Sequence, residues 1–207
     1  MRFGQTLDLP RCPHCSIAHP SLTVIGKPDA TYRADGGTQE IWAIYKCSSC
    51  GSLILAKGKK PAPNAGIAHI DALYPPAQTP AEDLPPTARR FLQQAMETLH
   101  APDAAAVMAG SAVDAMLKHL NFIEGSVYHR IEQAVAANVL TKGMGEWAHS
   151  VRLGSNRPRH ADAERPHVTP EEAAQAVEFA TALGQFLFVL TARVQRGIEK
   201  AKAAGPA

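Results

Sequence analysis

The stretch TQEIWAIYKCSSCGSLILA, Thr38 to Ala56, decides how the front of this chain is read. Beta-branched and aromatic residues lead up to Cys47, a Cys47-Ser48-Ser49-Cys50-Gly51 knuckle follows, and strand-like composition resumes in GSLILA. That is the pattern of two strands joined through a tight turn. A second knuckle, Cys12-Pro13-His14-Cys15, lies upstream, with 31 residues between the pairs. Two residues between cysteines let both thiolates of one turn point at one ion. Two such knuckles supply the four soft ligands of tetrahedral zinc. Cys12, Cys15, Cys47 and Cys50 are therefore the expected ligands of a structural zinc. Four protein ligands leave no open position for water, so the metal is expected to be scaffolding and not a hydrolytic centre. His14 and His19 lie beside the first knuckle and are expected at the surface or behind the ligands.

Working outward, SLTVIG reads as a further strand and PDATYRADGG as the turns between strands. The expected object is a zinc ribbon of about three short strands over residues 1–60, held together largely by its metal because a module of this size builds only a thin core. From Lys59 to Pro86 the chain carries seven prolines, and residues 61–86 are expected to be a linker. Ile67, Ile70, Leu73 and Tyr74 would give part of it something to pack.

The whole chain has 207 residues, 45% of them apolar and 19% charged. That excludes disorder throughout and a multidomain assembly. The formal charge is +2, too small to steer a polyanion to the whole surface, but residues 1–60 hold eight basic and four acidic side chains while the remainder hold 13 and 15. MRFGQTLDLP lacks the apolar core of a secretory signal, and FLFVL at Phe186–Leu190 is far short of the roughly 20 residues that cross a bilayer. No membrane association and a cytoplasmic location are expected, where paired cysteines bind metal more readily than they form disulfides.

Beyond Pro86 the composition turns to alanine, leucine and methionine at helical spacing. Helices are expected over Thr87–His100, from an Asp103 cap to Leu120, over Val127–Leu140 after Ser126, and after Thr141. Thr169-Pro170-Glu171-Glu172 is a capping box with proline at the first helical position, opening a helix that can run to Lys200. Small residues Ala104, Ala105, Ala106, Gly110 and Ala112 would let another helix come close. An all-alpha bundle over residues 87–207 follows, and the wide apolar surface of its last helix allows either burial within the chain or a dimer seam.

The polar side chains gather in EWAHSVRLGSNRPRHADAERPH, Glu146 to His167. His149, Arg152 and Asn156 would share one helical face by their spacing, while Pro158 is expected to end or bend the helix and fold His160 back over that face. Arginines that clamp a phosphodiester beside a proton-moving histidine describe metal-independent RNA cleavage, with Arg152, Asn156 and His160 in the catalytic roles. The same group, with His149, Arg157, Arg159 and Arg165, would otherwise bind a phosphate or nucleotide. A third reading is structural, with Arg152 and Asn156 tying the bend to Glu146 or Asp162. Asp114, alone in an apolar run, needs a basic partner, and one of these arginines is the expected mate. Trp42 and Trp147 are expected to pack.

CPHC with the later CSSC, LYPP at Leu73–Pro76, AGSAVDAML at Ala109–Leu117, VRLGSNRPRHAD at Val151–Asp162 and TPEEA at Thr169–Ala173 together resemble the DUF4145 family. The resemblance covers nearly the whole chain and implies kinship with the HEPN superfamily of helical domains, many of which are dimeric ribonucleases or nucleotide-binding partners in defence systems. In active relatives an arginine and a nearby histidine form the catalytic pair at a dimer interface. The matching residues are Arg152 and His160, with Asn156 as the accompanying polar residue; seven residues separate the pair here and Leu153 follows the arginine. The expectation is thus a small N-terminal zinc-ribbon beta module followed by an all-alpha HEPN-like bundle that forms a homodimer through its helical domain. Its expected role is to bind RNA, DNA or a nucleotide in a defence-like setting. Ribonuclease action and pure protein assembly are the alternatives.

Overall fold

In the computed structural model, which describes residues 1–37, 39–59, 68–76 and 79–203, the sequence around Cys47 forms the centre of an antiparallel sheet. Its strands are β1 (Leu22–Thr31), β2 (Glu40–Cys47), β3 (Leu53–Lys59) and β4 (Ile70–Tyr74), hydrogen-bonded in chain order. Alternation along β2 sets the two faces: Ala43, Tyr45 and Cys47 are buried, while Ile44 and Lys46 face out. The inner face packs Tyr45, Ile54 and Leu22 on Leu7 and Leu9 from the N-terminal segment. The Tyr45 hydroxyl is satisfied there, donating to the Gly4 carbonyl at 3.1 Å. A side chain at Gly58 would run into the His69 carbonyl, so β3 and β4 can approach only because that position is glycine.

β4 lies inside the segment expected to be linker. Its prolines suggested a boundary, but a register shift at Lys57/Gly58 sets Ile70 opposite Gly58 and Leu73 opposite Ala56 on the inner face, where Ile70 is buried in the sheet's core and Leu73 packs against it. Residues 61–67 and 77–78 of that expected linker lie outside the described residues. The chain divides into two units, Met1–Gln78 and Thr79–Ala207.

The second unit is all helical: α1 (Pro86–Glu97), α2 (Pro102–His119), α3 (Val127–Ala136), α4 (Lys142–His160), α5 (Pro170–Gly184), a π-helical turn (Gln185–Val189) and α6 (Leu190–Ala203). α2 is the centre of the bundle, with Ala105, Ala106, Ala109, Ala112, Val113, Met116 and Leu117 buried against its neighbours. Its small residues do what their size allows. A Cβ at Gly110 would sit 2.6 Å from Ser155 Oγ, which marks the point where α2 and α4 cross most closely. Ser126 and Thr141 cap α3 and α4, accepting the backbone N–H of His129 and Met144. Thr169 and Glu172 complete the capping box at α5, in which Glu172 N–H donates to Thr169 Oγ1 at 3.2 Å and Thr169 N–H to Glu172 Oε2 at 2.9 Å.

Two local expectations are corrected. Asp103 does not cap α2, whose N-cap is Ala101; its carboxylate accepts the Val168 N–H at 2.7 Å and pairs with His167 at 2.8 Å instead. Pro158 does not end α4, which runs two residues further to His160 and leaves through Ala161 at φ 44°. The proline stands near the C-terminus, so it removes one late hydrogen bond, and Arg157, Arg159 and His160 suit the negative end of the helix dipole.

The continuous helix Pro170–Ala203, 34 residues with a hydropathy of 1.4 over its most apolar window, is long and apolar enough to cross a membrane by length and composition, and 44% of that window is buried within the structure. α5 supplies that core through Phe179, Ala180 and Leu183, whereas α6 buries none of its residues and leaves Leu190, Val194 and Ile198 exposed.

Candidate metal centre and helical cavity

The turns that follow the N-terminal segment and β2 bring Cys12, Cys15, Cys47 and Cys50 into one cluster. Their sulfurs all lie within 4.8 Å of one another, and Cys12 Sγ and Cys50 Sγ are 4.0 Å apart. Four thiolates at about 2.3 Å from a tetrahedral ion stand about 3.8 Å apart, so a contraction of about 1 Å at most closes the cluster on a metal. The four cysteines are free thiols. Gly51, at φ +74°, takes the left-handed conformation that turns the chain out of the second knuckle. Burial pushes the Cys15 thiol up to about 12, whereas a hydrogen bond from Ser52 lowers Cys50 to about 6. His14 is exposed and its Nε2 meets the Leu53 carbonyl at 2.8 Å, tying one knuckle to β3 from outside the sulfur cluster. The cluster can chelate a metal, and its donor chemistry is that of a soft ion.

In the helical unit α4 divides two cavities. Ala148, Arg152, Ser155, Asn156 and Arg159 follow one another at three- and four-residue spacing and face a cavity of about 510 Å³ walled by α1, α2 and the start of α3. Ser111, Asp114 and Lys118 enter it from α2, and Pro85, Pro86, Thr87 and Phe91 form an apolar end. Three of the lining side chains are cationic, Lys118, Arg152 and Arg159, against one carboxylate, Asp114. Asp114 is already neutralised by Lys118 at 2.6 Å and Arg130 at 2.7 Å. Its mate is therefore Arg130 on α3, which also donates to the Ile123 and Gly125 carbonyls, and not an arginine of α4.

Arg159 Nη2 donates to Ser111 Oγ at 2.8 Å and to the Val107 carbonyl at 3.3 Å, so α2 fixes its position. Arg152 carries its guanidinium over the Tyr128 ring at 5.5 Å, and its buried Nε meets no acceptor among the described residues. The His149 ring lies 4.7 Å from the same Tyr128 ring and pairs through Nε2 with Glu132 at 2.7 Å. Tyr128 thus braces His149 and Arg152 at one edge of the cavity.

An adjoining face of α4 meets a second cavity, also of about 510 Å³, lined by Leu153, Gly154, Arg157, His160, Arg165 and Glu172 among others, and Val151 and Asn156 border both cavities. Here the charges pair with one another, although Arg157 Nη1, like Arg152 Nε, is buried without an acceptor among the described residues. Glu172 accepts Arg157 at 2.8 Å and Arg165 at 3.0 Å, and its pKa is held below the usual carboxylate value first by the Thr169 N–H and then by Arg157. The arginines that tie the bend are thus Arg157 and Arg165, through the α5 capping box. His160 is exposed at the rim.

The structure therefore brings together Arg152, Asn156 and Arg159, sets His149 beside them, and places Arg157, Arg165 and His160 elsewhere. Trp147 packs against Phe179 at 4.8 Å and Trp42 lies 6.2 Å from Tyr74. Ser111, Lys118 and Tyr128 were not singled out from sequence. The signal was there for two of them, since Ser111, Asp114 and Lys118 interrupt an apolar helix at three- and four-residue spacing.

The family model described as Domain of unknown function (DUF4145) matches residues 92–201, which takes in the second half of α1, all of α2 to α5 and nearly all of α6. No curated protein and no solved structure matches the chain. With more than half of its length covered by that match, including both walls of α4, the chain belongs to the DUF4145 family.

Proposed function

We propose that this protein binds a phosphate-bearing ligand, a nucleic acid or a nucleotide, in the cavity beside Arg152, and that its four cysteines hold a structural zinc. The observation that carries the first part is Arg152: a guanidinium at the cavity wall, 5.5 Å over the Tyr128 ring, in no ion pair among the described residues and with a buried Nε that lacks an acceptor there. A cation kept in that state costs free energy that an anion would return through charge-assisted hydrogen bonds. Arg159 adds charge at the same wall, Asn156 adds a neutral donor, and Phe91 with Pro85 and Pro86 offers an apolar wall to a base. The donor set of four sulfurs supports zinc, which would stiffen the sheet and take no part in chemistry.

Binding is favoured over cleavage by the course of α4. Eight residues carry His160 about 12 Å along the helix from Arg152 and about 80° around it, and the two residues line different cavities. An arginine and a histidine that act on one phosphate must face it together.

The test is equilibrium binding of labelled single-stranded RNA, single-stranded DNA and a nucleoside triphosphate to wild type, Arg152→Ala and Arg157→Ala. Loss of one charge-assisted contact is expected to weaken binding about 10- to 100-fold in Arg152→Ala, with Arg157→Ala close to wild type. No binding of any probe at low salt, or equal loss in both variants, would remove the proposal.

A further inference from the structure

The outward face of the four-stranded sheet carries a row of side chains unsuited to water. Ile25 pairs with Ile44, Ile44 with Leu55 and Leu55 with Tyr74, so these residues stand side by side across all four strands. Ile25, Ile44 and Tyr74 are 37%, 40% and 48% exposed, and Leu53, two residues from Leu55 on the same face, is 49% exposed. Scattered apolar residues are ordinary on a surface, but a contiguous patch on one sheet face marks an interaction surface.

We propose that a second copy of this chain docks on that face, forming a two-layer sandwich about a two-fold axis parallel to the Ile25–Tyr74 row. Area supports this. Four strands about 4.8 Å apart, with eight residues of β2 at about 3.3 Å each, make a face of about 500 Å², so a pair buries about 1,000 Å², at the lower limit for a specific interface. The exposed stripe of α6 is about 21 Å long and about 10 Å wide, less than half that area.

Charge supports it too. The two-fold sets each residue of the row on its own copy and turns the residues on one side of the row over those on the other. Lys46 then lies over the partner copy's Trp42 and Leu53 over its Lys57, and no lysine faces a lysine. Lys57 is already paired with Glu40 at 2.5 Å and lies 5.5 Å over its own Trp42 ring. Nucleic acid fits less well, because Asp29 and Glu40 share this face with Lys46, Lys57 and Lys59 and leave little positive surplus.

Light scattering across a range of concentrations, on the metal-loaded full chain, tests the proposal with Ile44→Asp, Leu53→Lys and Val194→Asp. Wild type is expected at twice the chain's mass. Ile44→Asp and Leu53→Lys are expected to raise the dissociation constant at least about 100-fold, and Val194→Asp to leave the dimer intact. Circular dichroism and metal content show whether Ile44→Asp still folds, and if it does not, the half-exposed Leu53→Lys decides. A monomeric wild type, a dimer that survives Leu53→Lys, or a dimer lost in Val194→Asp would each overturn it. So would a wild type that is monomeric and loses single-stranded RNA binding in Leu53→Lys, which would make nucleic acid the occupant.

Discussion

Arg152 and His160 lie on one unbroken helix yet face different cavities, because α4 continues through Pro158. The arginine looks toward α2 and Tyr128, the histidine toward the loop that leads to α5. On a panel of labelled single-stranded RNA, transfer RNA and DNA, no cleavage by wild type and unchanged binding in His160→Ala are expected. Chelator-resistant RNA cleavage that disappears in His160→Ala would restore the ribonuclease reading.

The crossing of α2 and α4 at Gly110 is tight enough to decide a sign. Gly110→Ala gains about 1 kcal/mol in helix propensity, but the new Cβ meets Ser155 Oγ at 2.6 Å and Ser155 Cβ at 2.9 Å, and Ser155 is only 2% exposed. Overpacking of this kind costs about 1–3 kcal/mol, so net destabilisation is expected in chemical denaturation. Adding Ser155→Gly should recover part of the loss, a coupling that a double-mutant cycle measures. Additive effects of the two substitutions would contradict the close approach.

Glu172 links the helical unit's stability to pH. Its folded pKa lies below the ordinary value of 4.5, so its contribution is fully present above 4.5 and is lost as pH falls through the folded value. Thermal melts of wild type should therefore decline as pH drops below 4.5. Glu172→Gln should be less stable at neutral pH by about 1 kcal/mol, since it loses the charge that holds Arg157 and Arg165, and its melts should depend less on pH within that window. Identical pH profiles for the two proteins would contradict this role.

Much of this fold is legible in the sequence, and the failures have local causes. The cysteine knuckles, the strands beside Cys47 and the Thr169 capping box each carry chemistry that admits few alternatives within a handful of residues. β4 was missed because its five residues lie near prolines and show no alternation, since a register shift against β3 puts Ile70 and Leu73, three residues apart, on one face. Asp103 reads as a cap from its position, but its true partners, Val168 and His167, lie more than sixty residues on. The cavity shows the same division: Arg152, Asn156 and Arg159 share a face by spacing alone, whereas Lys118 and Tyr128 join them only through tertiary packing.

Metal removal should separate the two units. The sheet has a small core of its own and gathers four thiols at one end, so much of its stability should come from the ion. A strong chelator, or Cys47→Ser, is expected to abolish the near-ultraviolet signal of Trp42 and Tyr45 while helical far-ultraviolet ellipticity persists. Retention of the aromatic signal in metal-free protein would show that the sheet stands without it.

The central claim is that Arg152 awaits an anion, and its own Nε–H reports on that most directly. In ¹H–¹⁵N spectra of arginine side chains, assigned with Arg152→Lys and Arg157→Lys, titration with inorganic phosphate and then a nucleoside triphosphate is expected to shift the Arg152 Nε resonance saturably and to leave Arg157 in place. An unmoved Arg152 resonance at saturating ligand, or shifts confined to Arg165 and surface groups, would contradict the account.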